Sequence, residues 1–229
     1  MLVDNLDRDQ YRKFLKDTVI KGQKCQRNWD LSKQIPEEDL DVIIHAATEC
    51  PSKQNLDFYS LLVIQNREIQ EKIYENTWTR PGEEKGRLNP QVLANTLLVF
   101  MPKAPSDLTR NNQTRSIEKE KSVELLKIDR HQAVGVAAGF VNVVAQSLGY
   151  STGCNKCFNA QAIKEILGTD DYPLLMMGVG FKDETRNRRM EHVEDTKVQS
   201  FSKVPIPVTV IDNAGNKVVK KNKSATIRY

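Results

Sequence analysis

The segment Ala133–Tyr150 reads AVGVAAGFVNVVAQSLGY. It closes a run of helical periodicity that starts at Ser116, about 30 residues arranged as one helix or as two in succession. A helix that is apolar almost all round has no face to turn to water, so it must be buried on all sides. Its small residues Ala133, Gly135, Ala137, Ala138 and Gly139 let a second helix approach closely. In a chain of 229 residues, a two-fold contact between two copies is the natural place for such a helix. The segment therefore predicts a long central helix at a subunit interface.

Around it, the pattern alternates between short helices and short strands. Tyr11, Phe14, Leu15 and Val19 fall at helical spacing within residues 8 to 20, and Leu40, Ile43, Ile44 and Ala47 do so after Pro36. Glu37, Glu38 and Asp39 suit the positive end of that second helix. FYSLLVIQ, ANTLLVFM and PLLMMGVGF are β-rich apolar runs that read as buried strands, while REIQEKIYEN and AQAIKEIL read as helices. Residues 78 to 91 and 104 to 115 read as connections, the second a flexible one, and GCNKCFN (Gly153 to Asn159) as a loop. From residue 205 the ending PIPVTVIDNAGNKVVKKNKSATIRY alternates about an NAGN turn. That predicts a hairpin or arm over 205–229, separate from a domain over 1–204. Strands interleaved with helices, without a regular βαβ rhythm, indicate an α+β fold with a mixed sheet between helical layers.

Composition narrows the function. No run of about 18 apolar residues occurs, and MLVDNLDRDQYRKF is too polar for a secretory signal, so the expectation is a cytoplasmic protein without a membrane partner. A net charge of +4 with acidic residues interspersed argues against nucleic acid. Four cysteines in a reducing compartment are buried, reactive or metal-bound rather than bridged. With three histidines, scattered at 45, 131 and 192, no metal site is expected.

Four stretches carry candidate chemistry. Lys21, Lys24 and Arg27 lie within seven residues and suit a phosphate, or else a solvated basic face. Arg186, Arg188 and Arg189 follow a strand ending in Gly180-Phe181. Arginines two apart point to the same side of an extended segment, as a phosphate clamp requires, although a surface patch reads the same way. Pro51-Ser-Lys-Gln-Asn55 is a polar loop between a buried helix and a buried strand, either a plain turn or a set of hydrogen-bonding groups for a ring edge. Cys154-Asn-Lys-Cys157 has the spacing of a redox dithiol or half a zinc site.

Taken together and in this order, these features resemble the FMN-dependent nitroreductase family. Gln23-Lys24-Cys25-Gln26-Arg27-Asn28-Trp29 is similar to that family's Arg-Arg-Ser-x-Arg-x-aromatic phosphate loop, and Gln34-Ile35-Pro36-Glu37-Glu38-Asp39-Leu40 to its Pro-Ile-x-x-Glu-x-Leu. Cys50-Pro51-Ser52-Lys53-Gln54-Asn55 resembles Ala-Pro-Ser-x-x-Asn, the apolar helix ending LGY the central dimer helix, and Gly180-Phe181 with Arg186 and Arg188 a Gly-Tyr strand end with basic residues after it. Gln23 and Cys25 depart from the family's arginine and serine, which puts more weight on Lys24, Arg27, Arg186 and Arg188.

The resemblance implies a mainly antiparallel sheet, a homodimer with flavin sites at the subunit interface, FMN as cofactor and NAD(P)H as electron donor. Hydride would pass through flavin N5 to a small aromatic, nitro or quinone-like acceptor. Gln23, Lys24, Cys25, Arg27, Asn155, Lys156, Cys157, Arg186 and Arg188 would come from one chain, with the Lys156 and Cys157 amides near N5. Pro51, Ser52, Lys53 and Asn55 would come from the other, and Asn89 would bond the pyrimidine edge. No catalytic side chain is assigned, because the flavin carries the reactivity. Two readings stand beside this one, a thiol redox or metal-binding protein using Cys154 and Cys157, and a non-catalytic flavin-binding protein.

Overall fold

In the computed structural model the described residues are 7–77, 88–110, 113–185, 206–211, 213 and 217–220. The chain divides into two compact units, Met1–Lys197 and Val198–Tyr229. In chain order, the first unit runs α1 (Arg8–Lys21), α2 (Glu37–Thr48), β1 (Tyr59–Ile64), α3 (Arg67–Glu75), β2 (Thr96–Pro102), β3 (Leu108–Arg110) and β4 (Gln113–Arg115). It continues α4 (Ile117–Glu120), α5 (Val123–Ser147), β5 (Ser151–Asn155), α6 (Ala160–Leu167) and β6 (Leu175–Gly180). The second unit is described as one antiparallel hairpin, β7 (Val208–Ile211) with β8 (Lys217–Lys220).

Local chemistry sets the helix ends. Asn66, Ser122 and Asn159 each accept an amide of the first turn of α3, α5 and α6, and Gly168 ends α6 with a left-handed φ of 62°. Between them lies a four-stranded sheet ordered β1-β2-β6-β5, antiparallel at every pairing. β2 is apolar on both faces because both are covered. Leu98 and Phe100 pack with Ile43 and Ala47 of α2 and Ala137 and Val141 of α5. Leu97, Val99 and Met101 pack on the other face with Ile73 of α3 and Ile163 of α6. Each such fully buried aliphatic side chain contributes about 1.5–3 kcal/mol, so these two clusters fix the sheet between its helical layers.

Three features differ from the sequence-based expectation. α5 is not enclosed within the chain: Val134, Ala137, Val141 and Ala145 are core, whereas Ile128, Val136, Phe140 and Val143 are exposed along one stripe. The small residues divide accordingly. Ala137 and Ala138 pack in the core cluster that holds α2, while a Cβ added at Gly135 or Gly139 would meet nothing within 4 Å. Second, GCNKCFN is a loop only in part, since Gly153, Cys154 and Asn155 end β5, opposite Gly178, Met177 and Met176. The open edge of β6 takes them because strand pairing satisfies backbone groups that a buried loop would leave unmet. Third, the connection over 104–115 holds the hairpin β3–β4, and Asp57 ties its approach through the Ser106 amide and hydroxyl, both at 2.7 Å. No described helix is long and apolar enough to cross a membrane.

Candidate functional site

The basic loop begins where α1 stops. The Gln23 and Lys24 amides bond back to Ile20 and Lys21, and the chain then turns along the free edge of β5, where the Gln26 amide donates to the Thr152 carbonyl at 2.8 Å. One side chain holds both ends of this turn. Asn142 of α5 donates to the Gly22 carbonyl at 3.0 Å and accepts from Thr152 Oγ1 at 2.5 Å. Cys25 Sγ lies 3.4 Å from the Cys154 carbonyl, so the loop follows β5 as far as the CxxC. Gly153 makes the approach possible, because a Cβ there would fall on the Gln26 carbonyl oxygen. Gln23 is exposed, while Lys24, Cys25 and Arg27 are half-buried.

The basic loop also meets the segment Phe181–Asp183 that follows β6. The Asp30 amide donates to the Phe181 carbonyl at 2.9 Å, the Asp183 amide to the Asn28 carbonyl at 3.2 Å, and Trp29 bridges Lys182. Asn95 fastens this junction, donating to the Asp30 and Lys33 carbonyls and accepting from the Phe181 amide at 2.9 Å. The chain leaves this junction toward 186. Arg186 and Arg188 lie outside the described residues, but the strand that leads to them is laid against the loop that carries Arg27.

Beside β5 sits a group of buried carboxamides. Asn89 is 4% exposed and its Oδ1 accepts from Gln91 Nε2 at 3.4 Å, as its amide donates to Thr77 Oγ1 at 2.8 Å. Gln91 Cγ lies within 3.1 Å of where a Gly153 Cβ would be. Three buried atoms here have no hydrogen-bond partner among the described residues: Gln26 Nε2, Gln91 Oε1 and Asn155 Nδ2. Each costs about 1–3 kcal/mol if left unmet, so a bound group or ordered water belongs with them. The edge of a planar ring with alternating donors and acceptors has the right chemistry. The Cys157 amide donates to Asn155 Oδ1 at 2.9 Å. It orients Asn155 so that Nδ2 is the donor left over. Lys156 turns away, its ammonium on the Pro173 and Leu174 carbonyls, and burial lowers its pKa.

Pro51–Asn55 lies elsewhere on the chain. Lys53 Nζ bonds Asp129 of α5 at 2.9 Å. Ser52 Oγ donates to the Leu56 carbonyl at 2.7 Å, and Pro51 and Asn55 are exposed. Asp129 and Asn142 are 13 positions apart on one helix, about 20 Å at 1.5 Å per residue. Within one chain, then, the Pro51–Asn55 loop and the basic loop are anchored far apart along α5.

The Cys154 thiol is poorly suited to act as a reagent. All four cysteines are free, and although Cys154 keeps contact with solvent, desolvation and then neighbouring Cys25 push its thiol up to about 11. A thiol that stays protonated is a weak nucleophile. Among the described residues no group of three or more His, Cys, Asp or Glu is gathered where it could hold a metal.

Sequence reasoning found the loops but missed Gln91, Asn95, Asp129 and Asn142, which hold them. Asn142 and Asp129 did leave a signal, as polar residues inside a helix whose core face is otherwise apolar.

A profile of the nitroreductase family matches residues 20–181. No curated protein matches the sequence significantly. Among solved structures, a candidate NAD(P)H:FMN oxidoreductase from Staphylococcus epidermidis superposes with a TM-score of 0.60 at 20% identity, over 83% of this chain and 92% of that one. A nitroreductase family protein from Clostridium novyi NT gives 0.59 at 18% identity, over 76% and 89%. A candidate nitroreductase from Exiguobacterium sibiricum, solved in complex with FMN, gives 0.56 at 18% identity, over 75% and 90%. At such identities the structural likeness speaks for the fold, and the family profile covers most of the chain. The basic loop laid along β5 and its contact with Phe181 fall within residues 20–181 that the profile matches, and the chain belongs to the nitroreductase family.

Proposed function

We propose that the protein is an FMN-dependent oxidoreductase that passes hydride in two steps from NAD(P)H to a small aromatic, nitro or quinone-like acceptor. It acts as a homodimer in the cytoplasm, with its sites at the subunit interface. The observation that carries this reading is the join of the basic loop to β5 and to the Phe181–Asp183 segment, beside buried carboxamides with unmet hydrogen-bonding atoms. When bound, FMN supplies hydride acceptance and donation at its N5.

The chain's own residues bind and orient. Lys24 and Arg27, with Arg186 and Arg188 following the Phe181 strand, neutralise the phosphate. Asn155, aimed by the Cys157 amide, and the Asn89–Gln91 pair address the ring edge. Gln23 and Cys25, in the places of an arginine and a serine, leave the phosphate to fewer charges. Pro51, Ser52, Lys53 and Asn55 come from the second chain, because α5 holds them about 20 Å from the basic loop of their own. The exposed stripe of α5, with Phe14 and Val19 of α1 also exposed, is the apolar surface through which the two chains meet.

FMN titration of the purified protein, followed by quenching of flavin fluorescence, tests the reading. Stoichiometric, saturable binding is expected. A protein that takes up no FMN would overturn it.

A further inference from the structure

The Pro51–Asn55 loop has an unusual backbone. Gln54 and Asn55, neither of them glycine, adopt φ values of 59° and 53° in succession. Left-handed conformations at non-glycine residues are strained and persist only where the surroundings impose them. Part of that constraint is local, since the Asn55 amide bonds the Ser52 carbonyl and the Leu56 amide the Lys53 carbonyl, both at 3.2 Å. A side-chain tie to α5 adds to it. Asp129, whose side chain is 4% exposed, accepts from Lys53 at 2.9 and 3.3 Å and from Lys121 at 2.5 Å. Lys121 is itself fixed, 15% exposed and 5.4 Å from the ring centroid of buried Phe58. The carboxylate is thus held from behind, and Lys53, 53% exposed, is its outward arm.

We propose that Asp129 is a positioning residue of the flavin site: through Lys53 it locks the strained Gln54–Asn55 turn, so that each subunit presents a preformed Pro51–Asn55 loop to its partner's flavin. The inference rests on the FMN reading given above. One carboxylate between two ammonium groups leaves a unit of positive charge uncompensated, and it is displayed at Lys53, the more exposed of the pair. A loop released from this clamp populates its binding conformation only part of the time. Apparent affinity falls in proportion, about tenfold where the competent fraction is about a tenth.

A double-mutant cycle on the full-length protein, read as the FMN dissociation constant, tests the clamp. D129N and K53M are each expected to weaken FMN about tenfold, and D129N/K53M to be no weaker than the poorer single variant, because one acts through the other. Unchanged affinity in D129N, or effects that add in the double variant, would overturn the clamp. Absence of FMN binding by the wild-type protein would instead remove the reading beneath it. Should D129N not fold, K53M alone still decides through hydrogen exchange at the Asn55 and Leu56 amides. Faster exchange supports the clamp, and exchange at the wild-type rate contradicts it.

Discussion

At the scale of single residues, the fold rests on a few polar side chains placed where an apolar residue would have packed. Asn142 and Asp129 sit in a helix whose buried side is otherwise Ala, Val and Leu, and each bonds a loop that the sequence marks as functional. Asp129 also sets a pH dependence. Burial opposes its ionisation, but Lys121 and Lys53 outweigh that and hold its pKa below the ordinary carboxylate value of 3.8. A depressed carboxylate contributes stability that is complete above its unfolded pKa and lost as pH falls through the folded one. Melting temperature followed against pH should therefore show D129N several degrees below wild type above about pH 5, with the gap closing below about pH 4. A gap that persists unchanged into acid would show that the carboxylate's charge is not what stabilises. The loops themselves were legible because Lys, Arg, Pro and Asn mark them directly. Their anchors were not, since nothing local distinguishes Asn95 or Gln91 from ordinary polar residues until the chain folds around them.

At the scale of elements, periodicity marks β1, β2 and β6 and the helices that cover the sheet to within a few residues, because two of those strands are buried on both faces and the helices carry clear apolar sides, but β5 carries no such pattern. It misplaced the start of the GCNKCFN loop, since strand pairing with β6 is a long-range event that Gly, Cys and Asn do not announce. That correction gives Gly153 a role. Adding a methyl group at Gly153 drives a Cβ into the Gln26 carbonyl, which should lift the basic loop from β5. G153A is expected to stay folded with a loss of about 1–3 kcal/mol, typical of overpacking, and to lose most of its FMN affinity. Thermal melting beside FMN titration checks this. Wild-type affinity in G153A would mean that the contact between loop and β5 does not shape the site.

At the scale of the whole molecule, the apolar pattern of α5 calls for burial on every side, and the chain itself covers only part of the helix. What a single chain leaves open is the stripe through Val136, Phe140 and Val143. Sequence could predict a partner there but not which residues would face it, because the faces of α5 are chemically alike. F140D places a charge in that stripe, where Phe140 is 46% exposed in the isolated chain. It is expected to yield a folded monomer in sedimentation that retains no FMN, while a stable F140D dimer would assign the interface elsewhere. The central claim, hydride traffic through a flavin held by this chain, is tested most directly by the visible spectrum of the FMN-loaded protein before and after NADPH is added without oxygen. The account predicts a flavin band that bleaches on NADPH and returns when a quinone is supplied. A bound flavin whose band NADPH leaves unchanged would contradict it.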